Sequence, residues 1–195
     1  MIKLDLNQSE QGPFLTPIEH PSSLYMKIAY YFTKRKFGKI ITPLKVHSAR
    51  LPFAFGKFYT KIAELDKKLL LSQETVMLLR EMVAHINVCR FCIDSNRFVV
   101  IEESMNQEKF NELENYKTSS LFDEREKVAL DYVYELTTHK KVDKETFDTL
   151  NTYFTEREIC EIVYVVASEH LYNITNIGLN INSDQLCEIM LNKQI

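Results

Sequence analysis

Between Thr155 and about residue 177, apolar side chains recur at helical spacing. Ile159, Ile162, Val163 and Val166, with His170 one turn on, share one stripe. The longest apolar run, 162–167, lies inside that stripe and falls well short of the roughly 18 residues that would span a membrane. The stripe predicts an amphipathic helix with one core face, and it makes His170 a hydrogen-bonded core histidine. Similar patterns predict helices over about 22–36, 46–64, 72–86, 89–103, 123–138 and 143–153, and a short one after Asn106. Two starts carry their own caps. Asp123 is followed three residues on by Glu126, and Thr155 by Glu158, the capping-box arrangement.

Punctuation reinforces this reading. Pro13, Pro17, Pro21, Pro43 and Pro52 all fall in the first 52 residues, and only Gly56 and Gly178 come after them. A long segment without proline, almost without glycine and without Asn-Gly or Asp-Gly hairpin signals points to packed helices. The chain is expected to be all-α: a single helical domain of about seven or eight helices over 21–195, preceded by an irregular arm over 1–20.

Composition narrows the function. The 195 residues carry 27 acidic and 24 basic side chains, a formal charge of −3, which offers no concentrated basic face for nucleic acid. The basic run Lys34-Arg35-Lys36, with Lys39, sits at a helix end beside Gly38, where cations complement the helix dipole and glycine supplies the stop. The polar N-terminus has no apolar signal core. A soluble, cytoplasmic protein without a membrane segment is expected, and in a reducing cytosol a close cysteine pair points to catalysis or metal binding before a structural staple.

That pair is Cys89 and Cys92, in Cys89-Arg90-Phe91-Cys92. Asn87 interrupts one helix and Cys89 opens the next, so the two sulfurs share a face within disulfide reach. The free N–H groups and dipole of a first helical turn favour thiolate over thiol. A thiolate attacks peroxides or disulfides, and its neighbour resolves the product. Two alternatives stand beside this. A zinc site wants about four ligands, and neither Cys160 nor Cys187 has a paired ligand at knuckle spacing. Two inert core cysteines are the plainer alternative, and Cys160 and Cys187 themselves are expected to be buried core residues.

The stretch 81–96, Glu-Met-Val-Ala-His-Ile-Asn-Val-Cys-Arg-Phe-Cys-Ile-Asp-Ser-Asn, resembles the signature helix pair of the carboxymuconolactone decarboxylase superfamily. Its C-x-x-C resembles that of the AhpD-like alkylhydroperoxidase branch. The segment from His47 to Phe55 is similar to the preceding helix, and 154–167 with 171–181 to the closing helix, so the likeness spans about 45–183. The resemblance implies an AhpD-like helical fold, trimers or hexamers, no bound cofactor or metal, and a peroxide or disulfide substrate with a cellular dithiol as reductant. It also implies that Cys92 attacks and Cys89 resolves, whereas the helix-terminus argument favours Cys89 as the attacker.

Two positions depart from the family pattern. The peroxidase motif has a glutamate twelve residues before the first cysteine and a histidine four after the second. Here Met77 and Asn96 stand there. Methionine carries no proton, and Asn96 can donate a hydrogen bond to a thiolate but cannot act as a base. Met77, Glu81, His85 and Cys89 are spaced four apart, so Glu81 could orient His85 as a substitute base; the plainer reading is an ordinary i,i+4 pair. The expected function is a thiol-dependent peroxidase or thiol–disulfide oxidoreductase. The alternatives are a carboxymuconolactone decarboxylase-type lyase and a non-catalytic oligomeric binding protein that has lost its relay.

Overall fold

The computed structural model describes residues 11–192, and among them every regular element is helical. Residues 1–10 of the expected arm lie outside the described residues, and 11–20 form no helix. The first helix, α1 (Leu24–Phe37), carries the basic run in its last turn and ends at Gly38. At φ 78° Gly38 sits in the left-handed region and donates its N–H to the Lys34 carbonyl, so here glycine is required by the backbone.

The helix expected over 46–64 is divided. Leu44–Ser48 and Pro52–Lys57 are wide π-type turns, and only Phe58–Asp66 (α2) is α-helical. Pro52 is the reason. It has no N–H to donate, and it pushes the residue before it out of the helical region, which places Leu51 at φ −127°, ψ 67°. The break puts His47 on a short turn of its own. Turns of this kind recur at functional sites.

The remaining elements follow the sequence closely: α3 (Gln73–Ile86), α4 (Arg90–Glu102), α5 (Gln107–Asn111), α6 (Glu124–His139), α7 (Lys144–Tyr153) and α8 (Glu156–Ile177). Both capping boxes form, at Asp123 and at Thr155. Helix α3 is the hub, packed against α4, α6 and α8. Leu78, Leu79, Met82, Leu130, Leu150, Ile162 and Phe110 are fully buried around it, and each such side chain contributes about 1.5–3 kcal/mol of burial.

A further helix, α9 (Leu186–Leu191), was not expected from the pattern. Its capping group comes from elsewhere in the chain. Asp94 on α4 accepts N–H bonds from Asp184, Leu186 and Cys187, each at 3.0 Å. Asp184 in turn accepts from the Thr42 backbone N–H at 2.6 Å and is paired with Lys39 at 2.9 Å. These two carboxylates lock α4 and α9 to the segment that leads into His47. Among the described residues no helix is long and apolar enough to cross a membrane.

Candidate functional site

Helix α3 stops at Ile86, and the chain turns sharply through Val88 at φ 57°. A β-branched residue in the left-handed region is uncommon and strained. The turn is held from outside: the Asn87 amide donates to Asn173 Oδ1 at 2.8 Å and faces His170 Nδ1 at 3.0 Å. Lys140 Nζ stands 3.5 Å from the other His170 nitrogen, so this half-buried histidine is hydrogen-bonded. Burial, and then the Lys140 charge, push its pKa down.

Cys89 is the residue that precedes the first turn of α4, and Cys92 follows within that turn. Their Cα atoms are 5.3 Å apart and their sulfurs are close enough to bond. The pair packs on Ala84, Ile93 and Tyr172. The two cysteines differ in one respect. Cys89 is 1% exposed, and Cys92, at 4%, forms part of the wall of a cavity of about 790 Å³.

Most of that wall is apolar, with Ile41, Leu71, Val76, Phe91 and Val99 among its residues. Met77 and Asn96 line it too, so the two positions where the sequence departs from the family pattern face the same space as Cys92. Asn96 Nδ2 is buried without a hydrogen-bond partner among the described residues. Glu81 and His85 do not line the cavity. They pair with each other at 3.2 Å, and Glu81 Oε1 also accepts from Arg97 Nε at 2.5 Å, on the flank of α3 facing α4.

Other titratable groups face the cavity instead. Glu169 on α8 is ion-paired with Arg80 on α3 at 3.0 Å, and Arg80 continues to Asp66 at 2.9 Å. Burial drives the Glu169 pKa up against the pull of Arg80. His47 is 4% exposed, and burial pushes its pKa down to about 4, so the ring is neutral at ordinary pH. Its Nδ1 lies 3.2 Å from Ser48 Oγ. Its Nε2 and Asn176 Oδ1 make no well-formed hydrogen bond, although Asn176 lies close enough to favour the protonated ring. Asn176 Nδ2 donates to Cys92 Sγ at 3.6 Å.

His47, Glu169 and Asn176 were not singled out from the sequence. For two of them a signal existed. The buried face of α8 runs Ile162, Val165, Val166, Glu169, Asn173, Asn176, so its inner stripe changes from apolar to polar halfway along. Val163, assigned to that stripe by spacing, is 40% exposed. Cys160 corrects another expectation: it lies exposed on α8, just off the stripe, and is no core residue. Cys187 is half-buried, and burial, then Asp94, push its thiol up to about 12. Among the described residues no three His, Cys, Asp or Glu side chains gather as a metal site would require.

The helical architecture is that of AhpD-like, carboxymuconolactone decarboxylase-type folds. A debrominase, Bmp8, in a cysteine-to-alanine variant bound to 2,3,4-tribromopyrrole, superposes with a TM-score of 0.76 at 18% identity, over 95% of this chain and 99% of that one. An alkylhydroperoxidase AhpD core, a peroxidase-related protein from Ralstonia eutropha JMP134, gives 0.66 at 17% identity, over 90% and 98%. The protein YnjA of Escherichia coli K12 is 23% identical over 168 residues, 85% of this chain and 92% of its own. No family model matches the chain.

Proposed function

We propose that the protein is a thiol-dependent oxidoreductase of the AhpD-like type, with Cys92 as the attacking and Cys89 as the resolving residue. The observation that carries this reading is the asymmetry of the pair: Cys92 lines the cavity, and Cys89 lies behind it at bonding distance. The asymmetry favours Cys92 over the helix-terminus preference for Cys89.

With an organic hydroperoxide, the Cys92 thiolate attacks the outer oxygen and the O–O bond breaks. The sulfur becomes a sulfenic acid, and the leaving alkoxide takes a proton to become an alcohol. Cys89 then attacks the Cys92 sulfur and water leaves, so the thiol pair has supplied two electrons and become a disulfide. A cellular dithiol of the cytoplasm would restore the pair. A cavity of about 790 Å³ is far larger than hydrogen peroxide needs, which supports an organic substrate.

The same apolar space favours one second reading, reductive dehalogenation of a halogenated aromatic by this chain's dithiol; the neighbouring protein is named a debrominase. The oligomer, a trimer or hexamer, belongs to the proposal as well. Its support is the outer face of α1, where Leu24, Ile28, Tyr31 and Phe32 are exposed.

The test is to supply excess dithiothreitol as the reducing dithiol, then follow substrate consumption with cumene hydroperoxide and, separately, halide release from a bromopyrrole. Wild type should turn over one of the two, and Cys89→Ser and Cys92→Ser should stop after at most one equivalent. Equal behaviour of all three proteins would rule the dithiol out.

A further inference from the structure

The usual proton relay is missing at Met77 and Asn96, yet a buried thiolate needs a group that favours its charge. Three buried polar atoms without a well-formed hydrogen bond, His47 Nε2, Asn96 Nδ2 and Asn176 Oδ1, belong to residues that line the cavity beside Cys92. One of those residues already reaches the sulfur, since Asn176 Nδ2 is 3.6 Å from Cys92 Sγ. Neutral buried amides are costly to leave half-paired, and such groups mark functional surroundings.

We propose that Asn176 stabilises the Cys92 thiolate by direct hydrogen bonding, and that His47 is the positioning residue that holds the Asn176 amide in the donating orientation. This rests on the redox reading of the pair given above.

The polarity of the chain of groups supports it. With Nδ2 turned to the sulfur, Asn176 leaves Oδ1 without a partner, and His47 Nε2, on the wall of the same cavity, is without one too. An oxygen there calls for a donor, which places the ring proton on Nε2 and leaves Nδ1 to accept from the Ser48 hydroxyl, 3.2 Å away. With that assignment the hydrogens of Ser48, His47 and Asn176 run in one direction, toward Cys92. The neutral ring suits this, because a neighbouring imidazolium would add a charge that burial disfavours. The role differs from that of the family's glutamate and histidine: no proton passes through an amide, and the gain lies in favouring the charged sulfur.

Other charged and titratable groups share the cavity and set the background. Arg80 and Glu169 neutralise one another, with Asp66 on the far side of Arg80. Tyr59 and Tyr172 are both raised by burial and stay neutral. Lys67 and Glu103 also line it.

The experiment is the pH profile of iodoacetamide alkylation of Cys92 in the reduced protein, read at the peptide level so that Cys89, Cys160 and Cys187 do not contribute. In Asn176→Leu, alkylation at pH 6 should slow about tenfold relative to wild type, with little change at pH 10. Asn176→Asp, of the same shape, should slow it at least as much. His47→Leu should move the profile in the same direction, and His47→Gln, which keeps a donor near the Nε2 position, should restore most of it. A merely structural role would shift stability in these variants and leave the midpoint of the profile in place. Profiles in both Asn176 variants that overlay the wild type overturn the proposal, and a reactive wild-type Cys92 in that case leaves the redox reading standing. A wild-type Cys92 inert up to pH 8 overturns both.

Discussion

Asp94 and Leu186 are 92 residues apart in the chain, and a carboxylate–amide hydrogen bond of 3.0 Å joins them at the start of α9. The same side chain accepts from the Cys187 and Asp184 amides and from the Ser183 hydroxyl. A capping carboxylate supplied by a distant helix ties the C-terminal segment to the helix that carries Cys92.

Asp94→Ala should therefore cost about 3 kcal/mol of stability, since one substitution leaves several buried N–H groups without an acceptor. Urea unfolding of wild type and variant measures this directly. A loss under about 1 kcal/mol would mean that water replaces the carboxylate.

The Cys187 thiol, pushed up to about 12 by burial and by Asp94, should be the least reactive sulfur of the reduced protein. Peptide mapping after brief alkylation at pH 8 should find Cys160 modified and Cys187 largely untouched. Cys187→Ser should leave the pH profile of Cys92 unchanged.

Acid should weaken the fold through His47. Its pKa is about 4 in the folded protein and 6.5 when unfolded, so between those values the unfolded chain binds more protons. Stability then falls as pH drops from about 6.5 to about 4, and this residue contributes up to about 3 kcal/mol of the fall. In His47→Gln that share should vanish, and the difference between the two proteins' stability-versus-pH curves isolates it from the titration of carboxylates.

If the exposed face of α1 is a subunit contact, charge placed on it should separate the subunits. Leu24→Glu combined with Phe32→Glu should shift sedimentation toward the monomer and leave the helical content unchanged, because both side chains are exposed in the single chain. An unchanged sedimentation coefficient would remove α1 from the interface.

Much of this protein is legible in the sequence because it depends on local physics. Helix starts at Ser72, Asp123 and Thr155 are set by side chains three residues from the amides they cap, and Gly38 ends α1 by its own backbone freedom. The closeness of Cys89 and Cys92 follows from their spacing at the start of one helix. What the spacing does not contain is which sulfur meets the cavity, because that depends on the turn at Val88 and on the helices packed around it. Nor does it contain α9, whose cap is 92 residues away. The gathering of His47, Asn176 and Cys92 on one cavity wall joins segments up to 129 residues apart, from 47 to 176. Such contacts are decided by packing three elements around one core, and only the tertiary structure places them.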